Sequence, residues 1–309
     1  MTTRILVTGA GGFIGSHAVA AARATPGLRL RLMAHRSAPP GGGAELVRAD
    51  LAVADSLRGS CAGVDVVLHC ASRIGGDEAG SAAVNDLGTR NLVDEATRGG
   101  VRRFVYVSTA AVYGRGPFTA LRPDGAPLAP ASATSRSRAA AERHVLAAGG
   151  VVLRPHLVYG RGDKWVIPGL VMLLRRLSAG LSRCRARHSL IDARSLGRLA
   201  VAAALAPRAA GVYHVNHPDP VGVAELLSTV DAGLRLGLDR RASVPAARAM
   251  LAASEPARRH LEMLAVDHWF ADDRVWADLG CGPGAGFATT FRRHAAWYRR
   301  QLAAAPRSG

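Results

Sequence analysis

The chain has 309 residues, 49% hydrophobic and 20% charged, with a formal net charge of +17. That length and apolar content describe a globular protein with one large core, or a core and a smaller lobe. No apolar stretch approaches the roughly 18 to 20 residues of a membrane helix, so no membrane partner is expected. The basic excess raises nucleic acid as a partner. Lys164 is the only lysine, however, and the arginines are spread along the whole length. This reads as a coding bias towards arginine, and no nucleic-acid partner is expected. Cys61, Cys70, Cys184 and Cys281 stand too far apart for a zinc site or a disulfide scaffold and read as free thiols, with no metal.

In chain order, an apolar run at 5–7 leads into Thr8-Gly9-Ala10-Gly11-Gly12-Phe13-Ile14-Gly15, and 13–24 reads as a helix. Residues 28–34, 64–70, 104–108 and 151–154 then read as strands, with helices over 85–98 and 137–148. Such alternation predicts an α/β fold, a doubly wound parallel sheet with helices on both faces. Gly-Pro-rich pieces interrupt it at 39–43 and 115–130, the second long enough for a loop over an active site. After Gly160 the pattern changes to helical stretches at 167–177 and 196–205, an extended piece at 211–215 and a closing amphipathic helix over 291–302. The expected division is a nucleotide domain over 1–160 and a mainly substrate-binding C-terminal lobe over 161–309, with the chain crossing back to the sheet around 185–216.

The glycines between strand and helix have separate uses. One permits a tight turn, one lets the backbone approach a pyrophosphate, and one lets helix and strand pack closely, while the helix amides face the phosphates. The pattern predicts a dinucleotide site. The motif begins so near Met1 that no signal peptide is expected before it, and a cytoplasmic location follows as the default. A second glycine-rich run at 278–284 mimics a methyltransferase loop, but only about 25 residues follow, too few for the β-α-β array such a loop opens.

Further motifs extend almost end to end: Asp50-Leu51, His69-Cys70-Ala71, Asn85 with Gly88-Thr89, Ser108-Thr109 with Val112-Tyr113-Gly114, Leu153-Arg154-Pro155 with Tyr159-Gly160, and Ile191-Asp192. With these the chain resembles the extended short-chain dehydrogenase/reductase superfamily, in its branch of NAD(P)-dependent epimerases, dehydratases and reductases. The resemblance implies a Rossmann-type fold and a cofactor held by Gly9, Gly12, Phe13, Ile14, Gly15, Arg36, Asp50, Leu51, Cys70, Ala71, Arg138 and Pro155. It also implies a small-molecule substrate and a homodimer. Asp50 and Leu51 would hold the adenine, Asn85 would support the active site, and Thr109 takes the place of the Ser/Thr that hydrogen-bonds the substrate oxygen.

Two positions depart from the family. At the end of the second strand Ala34-His35-Arg36 replaces the acidic residue that accepts from the ribose 2′-OH, and a guanidinium there favours NADP, with NAD the alternative. In the register of Ala139-Ala140-Ala141-Glu142, the catalytic tyrosine falls on Thr134 and the lysine on Arg138. A threonine hydroxyl is far harder to deprotonate than a phenol, and arginine stays charged throughout the working range. His156 is the first candidate for a replacement acid, a buried hydrogen-bonded histidine being the equal alternative. The sequence therefore leaves three readings: carbonyl reduction or epimerisation with a replacement acid, a non-redox dehydratase, cyclase or isomerase that keeps the dinucleotide as a structural element, and a non-catalytic cofactor sensor.

Overall fold

The structure, a computed structural model, describes residues 2–36 and 42–304. Of the expected interruption at 39–43, residues 39–41 lie outside the described residues. Strand β1 (Thr3–Thr8) leads through the glycine turn to helix α1 (Phe13–Arg23), followed by β2 (Leu28–Ala34), β3 (Glu45–Arg48) and β4 (Val66–His69). A short helix α2 (Glu78–Ser81) runs through π-helical turns over Ala82–Leu87 into α3 (Gly88–Arg98). Next come β5 (Arg103–Val107), β6 (Phe118–Leu121), α4 (Ala133–Ala147) and β7 (Val151–Arg154).

The remaining strands are β8 (Leu157–Tyr159), β9 (Gly180–Ser182), β10 (Arg187–His188), β11 (Leu190–Asp192), β12 (Gly211–His214), β13 (Val221–Gly222), β14 (Arg241–Ser243) and β15 (His268–Phe270). Helices α5 (Val166–Leu177), α6 (Ala193–Leu205), α7 (Val223–Leu234), α8 (Val244–Met250), α9 (Glu255–Leu264), α10 (Val275–Leu279) and α11 (Phe287–Ala304) are distributed among them. None of the described helices is long and apolar enough to cross a membrane.

Seven strands form one parallel sheet in the order β12-β7-β5-β4-β1-β2-β3. Its central strands are apolar without alternation, and β4 and β7 are buried at every position, as a sheet covered on both faces requires. The chain reverses its winding direction between β1 and β4, so their carboxyl ends open a crevice where such sheets bind ligands.

One face of the sheet packs on α1 and α6, the other on α3 and α4. Helices α1 and α6 approach closely because their facing residues are small: Ala18 and Ala22 on one, Gly197, Ala200 and Ala204 on the other, all buried. A second core gathers α5, α7, α9 and α11 around Leu170, Leu174, Leu227 and Phe291. Beside it a four-stranded sheet, β13-β10-β15-β6, meets the crevice side of the large sheet.

The expected helix over 137–148 begins earlier, at Ala133, because Ser132 and Ser135 form a reciprocal capping box. The stretch 115–130 is not wholly loop, since β6 within it pairs in parallel with β15. Strand β3, absent from the sequence reading, is an edge strand with three of its four residues exposed.

The α1/α6 contact yields a test. A Cβ on Gly197 would lie 2.6 Å from the carbonyl of His17, in backbone that cannot yield cheaply. Gly197→Ala is predicted to lower the urea unfolding free energy by about 1–3 kcal/mol, the usual result of overpacking. Dinucleotide affinity should fall with it, because α1 carries the glycine turn.

Candidate active site

The crevice is a cleft of about 650 Å³ lined by the glycine turn, the ends of β2 and β4, the segment after β4, and Arg138 of α4. At its base the turn is sterically specified. Gly9 has φ +64°, and a Cβ there would lie 2.6 Å from the Ala71 amide nitrogen; one on Gly15 would lie 2.1 Å from the Gly9 carbonyl oxygen. Gly12 is the N-cap of α1, no side chain caps the helix, and its first turn contains no acidic residue. The first-turn N–H groups, among them those of Phe13 and Ile14 at the cleft wall, therefore retain their donors and the positive end of the helix dipole. That is the donor set of a phosphate seat.

At one end of the cleft, His35 Nε2 lies 3.2 Å from an Asp50 carboxylate oxygen, and Arg36 is exposed beside them. Leu51 is held from behind: Asn91 donates to its carbonyl at 3.1 Å, and Gly88 is small enough to meet its Cβ. The floor is Cys70 and Ala71, behind which His69 is fully buried with Nδ1 2.6 Å from Thr8 Oγ1 and Nε2 3.0 Å from Thr89 Oγ1. Because the Thr89 hydroxyl donates to the Asn85 carbonyl at 2.5 Å, it accepts from His69 Nε2–H, and Nδ1 accepts from Thr8. Burial, reinforced by the Arg138 charge, pushes His69 down to about 3, so the ring is a neutral strut. Burial likewise pushes the Cys70 thiol up to about 12, and it is no nucleophile. Among the described residues no cluster of His, Cys, Asp or Glu could hold a metal ion.

At the other end, Thr134, Arg138 and Glu142 stand four residues apart on one face of α4. Glu142 is buried and takes a bidentate pair from Arg154 of β7 (Nε 3.0 Å, Nη2 2.5 Å) and a hydrogen bond from Ser108. Arg154 continues to Tyr113 Oη at 2.5 Å, which lies 2.9 Å from His214 Nε2. One turn up, Arg138 is 8% exposed; its Nη2 donates to the Val107 carbonyl at 2.6 Å, whereas its Nε has no partner. A buried guanidinium with a vacant N–H beside a phosphate seat fits the hydroxyl-rich ribose of a dinucleotide.

Thr134 does not stand open: its Oγ1 accepts the Gly75 amide at 3.2 Å. Asn85 is buried beneath the same segment, accepting from Arg73 N–H at 2.7 Å and donating to the Arg73 carbonyl at 3.0 Å and to Ser137 Oγ at 3.0 Å. Thr109 Oγ1 accepts the Ala111 amide at 3.1 Å, and the adjacent Ala110 amide donates to the Pro155 carbonyl at 2.8 Å. Asn85, Thr109, Thr134, Pro155 and His156 are not among the residues lining the cleft, whereas Arg73, which the sequence reading did not single out, is. The signal for it was the Gly75-Gly76 pair that follows, but nothing in one sequence says where such a pair points.

Residues 5–215 match the sequence profile of the NAD dependent epimerase/dehydratase family. The chain belongs to that family. Within the extended short-chain dehydrogenase/reductase superfamily it is 30% identical to the 2-alkyl-3-oxoalkanoate reductase of Stenotrophomonas maltophilia, over 94% of this chain and 98% of that protein. It is also 30% identical to a 3 beta-hydroxysteroid dehydrogenase/Delta 5-->4-isomerase of Mycobacterium tuberculosis, over 91% of this chain and 86% of that protein. The fold is shared with the Bordetella bronchiseptica enzyme WbmH, solved with NAD+, at 21% identity and a TM-score of 0.78 over 97% of this chain and 99% of that one.

In this epimerase/dehydratase-family chain His156 enters a histidine cluster. Its ring stacks with those of His188 and His268 at centroid distances of 5.6–5.8 Å, and Phe270 closes one side. Burial first, then the neighbouring His188, His268 and His214, hold His156 well below its ordinary value. The ring is thus neutral at neutral pH and has no proton to give as an imidazolium acid. Burial also lowers His188 and His214, each to about 4.

These shifts set a pH dependence. Between about pH 6.5, where histidines of the unfolded chain protonate, and about 4, the unfolded state binds protons that the folded state refuses. Stability is therefore full above this window and is lost as pH falls through it. Urea unfolding at pH 7.5 and 5 should show the loss, and His188→Gln should reduce it by on the order of 1–2 kcal/mol. An undiminished loss would place the acid sensitivity elsewhere.

Proposed function

We propose that this chain is an NADP(H)-dependent oxidoreductase that interconverts a carbonyl and an alcohol on a small biosynthetic intermediate, with Arg138 in the lysine's place and no tyrosine. The reading rests on the buried Arg138 guanidinium, which lines the same cleft as an uncapped, acid-free helix N-terminus. A bound dinucleotide supplies or accepts the hydride. The amides at Phe13 and Ile14 would hold its pyrophosphate, Leu51, Cys70 and Ala71 would border its adenine half, and Arg138 would donate to the hydroxyls of the nicotinamide ribose. Thr109 would hydrogen-bond the substrate oxygen through its hydroxyl, whose oxygen accepts the Ala111 amide, and would keep its proton. A threonine hydroxyl is no general acid near neutrality, so the substrate oxygen takes its proton from water. The missing acid costs about 100- to 10,000-fold in rate.

The name of the Stenotrophomonas relative, a reductase of 2-alkyl-3-oxoalkanoates, supports a 3-oxo acid as the kind of substrate. One observation favours a non-redox dehydratase or isomerase instead: the hydroxyl at the tyrosine's position is already engaged by the Gly75 amide. Isotope transfer separates the two. With NADPH deuterated at C4 and a 2-alkyl-3-oxoalkanoate, the alcohol product should carry deuterium at C3, at a rate flat across pH 6–9. Product formed without deuterium contradicts hydride transfer.

The cofactor preference follows from the end of β2, where Arg36 offers a guanidinium and the Asp50 carboxylate is paired with His35. NADPH should bind more tightly than NADH in calorimetry. Arg36→Ala should reduce that preference by about 10- to 100-fold, the worth of one charge-assisted hydrogen bond. Equal affinities in the unsubstituted protein would instead assign NAD.

A further inference from the structure

The segment after β4, residues 72–77, is tied to its surroundings more firmly than a connecting loop needs. Asn85 grips both backbone groups of Arg73, Thr134 holds the Gly75 amide, and Asp77 caps α2 by accepting the Gly80 amide at 2.6 Å. Arg136, two residues after Thr134, adds a 3.0 Å bond to Glu78. What these ties present to the cleft is the Arg73 side chain.

The end of that side chain, which is 45% exposed, lies over two glycines. A Cβ on Gly76 would lie 2.8 Å from Arg73 Nη2, and one on Gly80 would lie 2.6 Å from its Cζ. Gly76 also has φ +82°, which other residues rarely adopt. The guanidinium so seated has no hydrogen-bond acceptor among the described residues. Its one carboxylate neighbour, Asp77, is 4.0 Å away, beyond hydrogen-bond reach, and already accepts the Gly80 amide. Asp50 is the only carboxylate among the residues lining the cleft, and it is paired with His35. The walls thus hold three guanidiniums, of Arg36, Arg73 and Arg138, whose N–H groups the described residues leave partly or wholly unmet.

We propose that Arg73 is an anion-binding residue of the cleft, receiving a phosphate or carboxylate oxygen of the ligand, and that Thr134 and Asn85 are its positioning residues. Thr134, at the tyrosine's position, thereby acquires a structural use: its hydroxyl holds in place the segment that aims Arg73. The proposal rests on the reading of the cleft as a dinucleotide site, and two ligands could bring the oxyanion, the cofactor through its pyrophosphate or the substrate through an acid group. A guanidinium serves either, because its planar fork matches both oxyanions.

Binding measurements on the full chain separate these sources. NADPH is titrated into the unsubstituted protein and into Arg73→Gln. A 2-alkyl-3-oxoalkanoate, and the neutral ketone left when its carboxylate is lost, are then titrated into the NADP-loaded forms. A tenfold or greater loss of NADPH affinity assigns Arg73 to the pyrophosphate. Unchanged NADPH affinity with a tenfold loss for the acid, and none for the ketone, assigns it to the substrate. Thr134→Val should reproduce several-fold of either loss and Thr134→Ser should restore it, with the urea midpoint reporting that the fold is intact. Unchanged binding of both NADPH and the acid in Arg73→Gln overturns the proposal. These are affinities, so absence of deuterium transfer would remove the redox reading and leave this one standing, whereas failure of the unsubstituted protein to bind NADPH removes both.

Discussion

The buried pair of Glu142 and Arg154 is the contact on which the cleft's chemistry depends. It joins α4 to β7 in a bidentate geometry with both side chains almost fully excluded from solvent, and Ser108 at the end of β5 adds a hydrogen bond to the same carboxylate. Removing one partner of such a pair typically costs about 3–5 kcal/mol, because the other charge is left buried alone. Its positional effect matters more here. Once Glu142 is pinned, helical periodicity places Arg138 one turn away at the carboxyl end of β5, against the Val107 carbonyl, and Thr134 a further turn away against Gly75.

From that anchor the two halves of the cleft differ in kind. The phosphate seat is made of backbone: a left-handed glycine, close approaches that no Cβ could share, and helix amides with no side-chain cap. The opposite end is made of guanidiniums. Arg138 is held by a carbonyl, and the end of Arg73 lies over two glycines. A site so rich in positive charge suits an anionic ligand.

The parts of this architecture legible in the sequence are those set by local rules. Strands 28–34 and 151–154 agree with β2 and β7 at both ends, because each starts directly after a glycine and is rich in leucine or valine, as a strand of such an array requires. The glycine turn was legible as well, each glycine answering a local steric demand. The elements that escaped depend on distant partners. Strand β6 is legible only through β15, about 150 residues later in the chain, and its own four residues carry no alternation. Helix α4 begins earlier than periodicity suggested because its cap, Ser132 with Ser135, lies among prolines and alanines that read as loop.

The site divides in the same way. Thr134 and Arg138 are assigned to the tyrosine and lysine positions by the family resemblance, from the register of Glu142 in the sequence. What they touch does not follow from it, since Gly75 and Val107 come from other elements. His156 was legible as a histidine near the end of β7 but not as one ring of a stack assembled from β10 and β15. Arg73 was not legible at all, because the glycines that seat it report only a turn until the fold places them beside the cleft.

The central claim is that Arg138 has taken over the lysine's hold on the cofactor, and a crystal structure with bound NADP+ tests it most directly. The account predicts a guanidinium nitrogen of Arg138 within about 2.7–3.2 Å of a hydroxyl oxygen of the nicotinamide ribose, with the pyrophosphate on the first-turn amides of α1. A dinucleotide bound with its nicotinamide ribose away from Arg138 would contradict it.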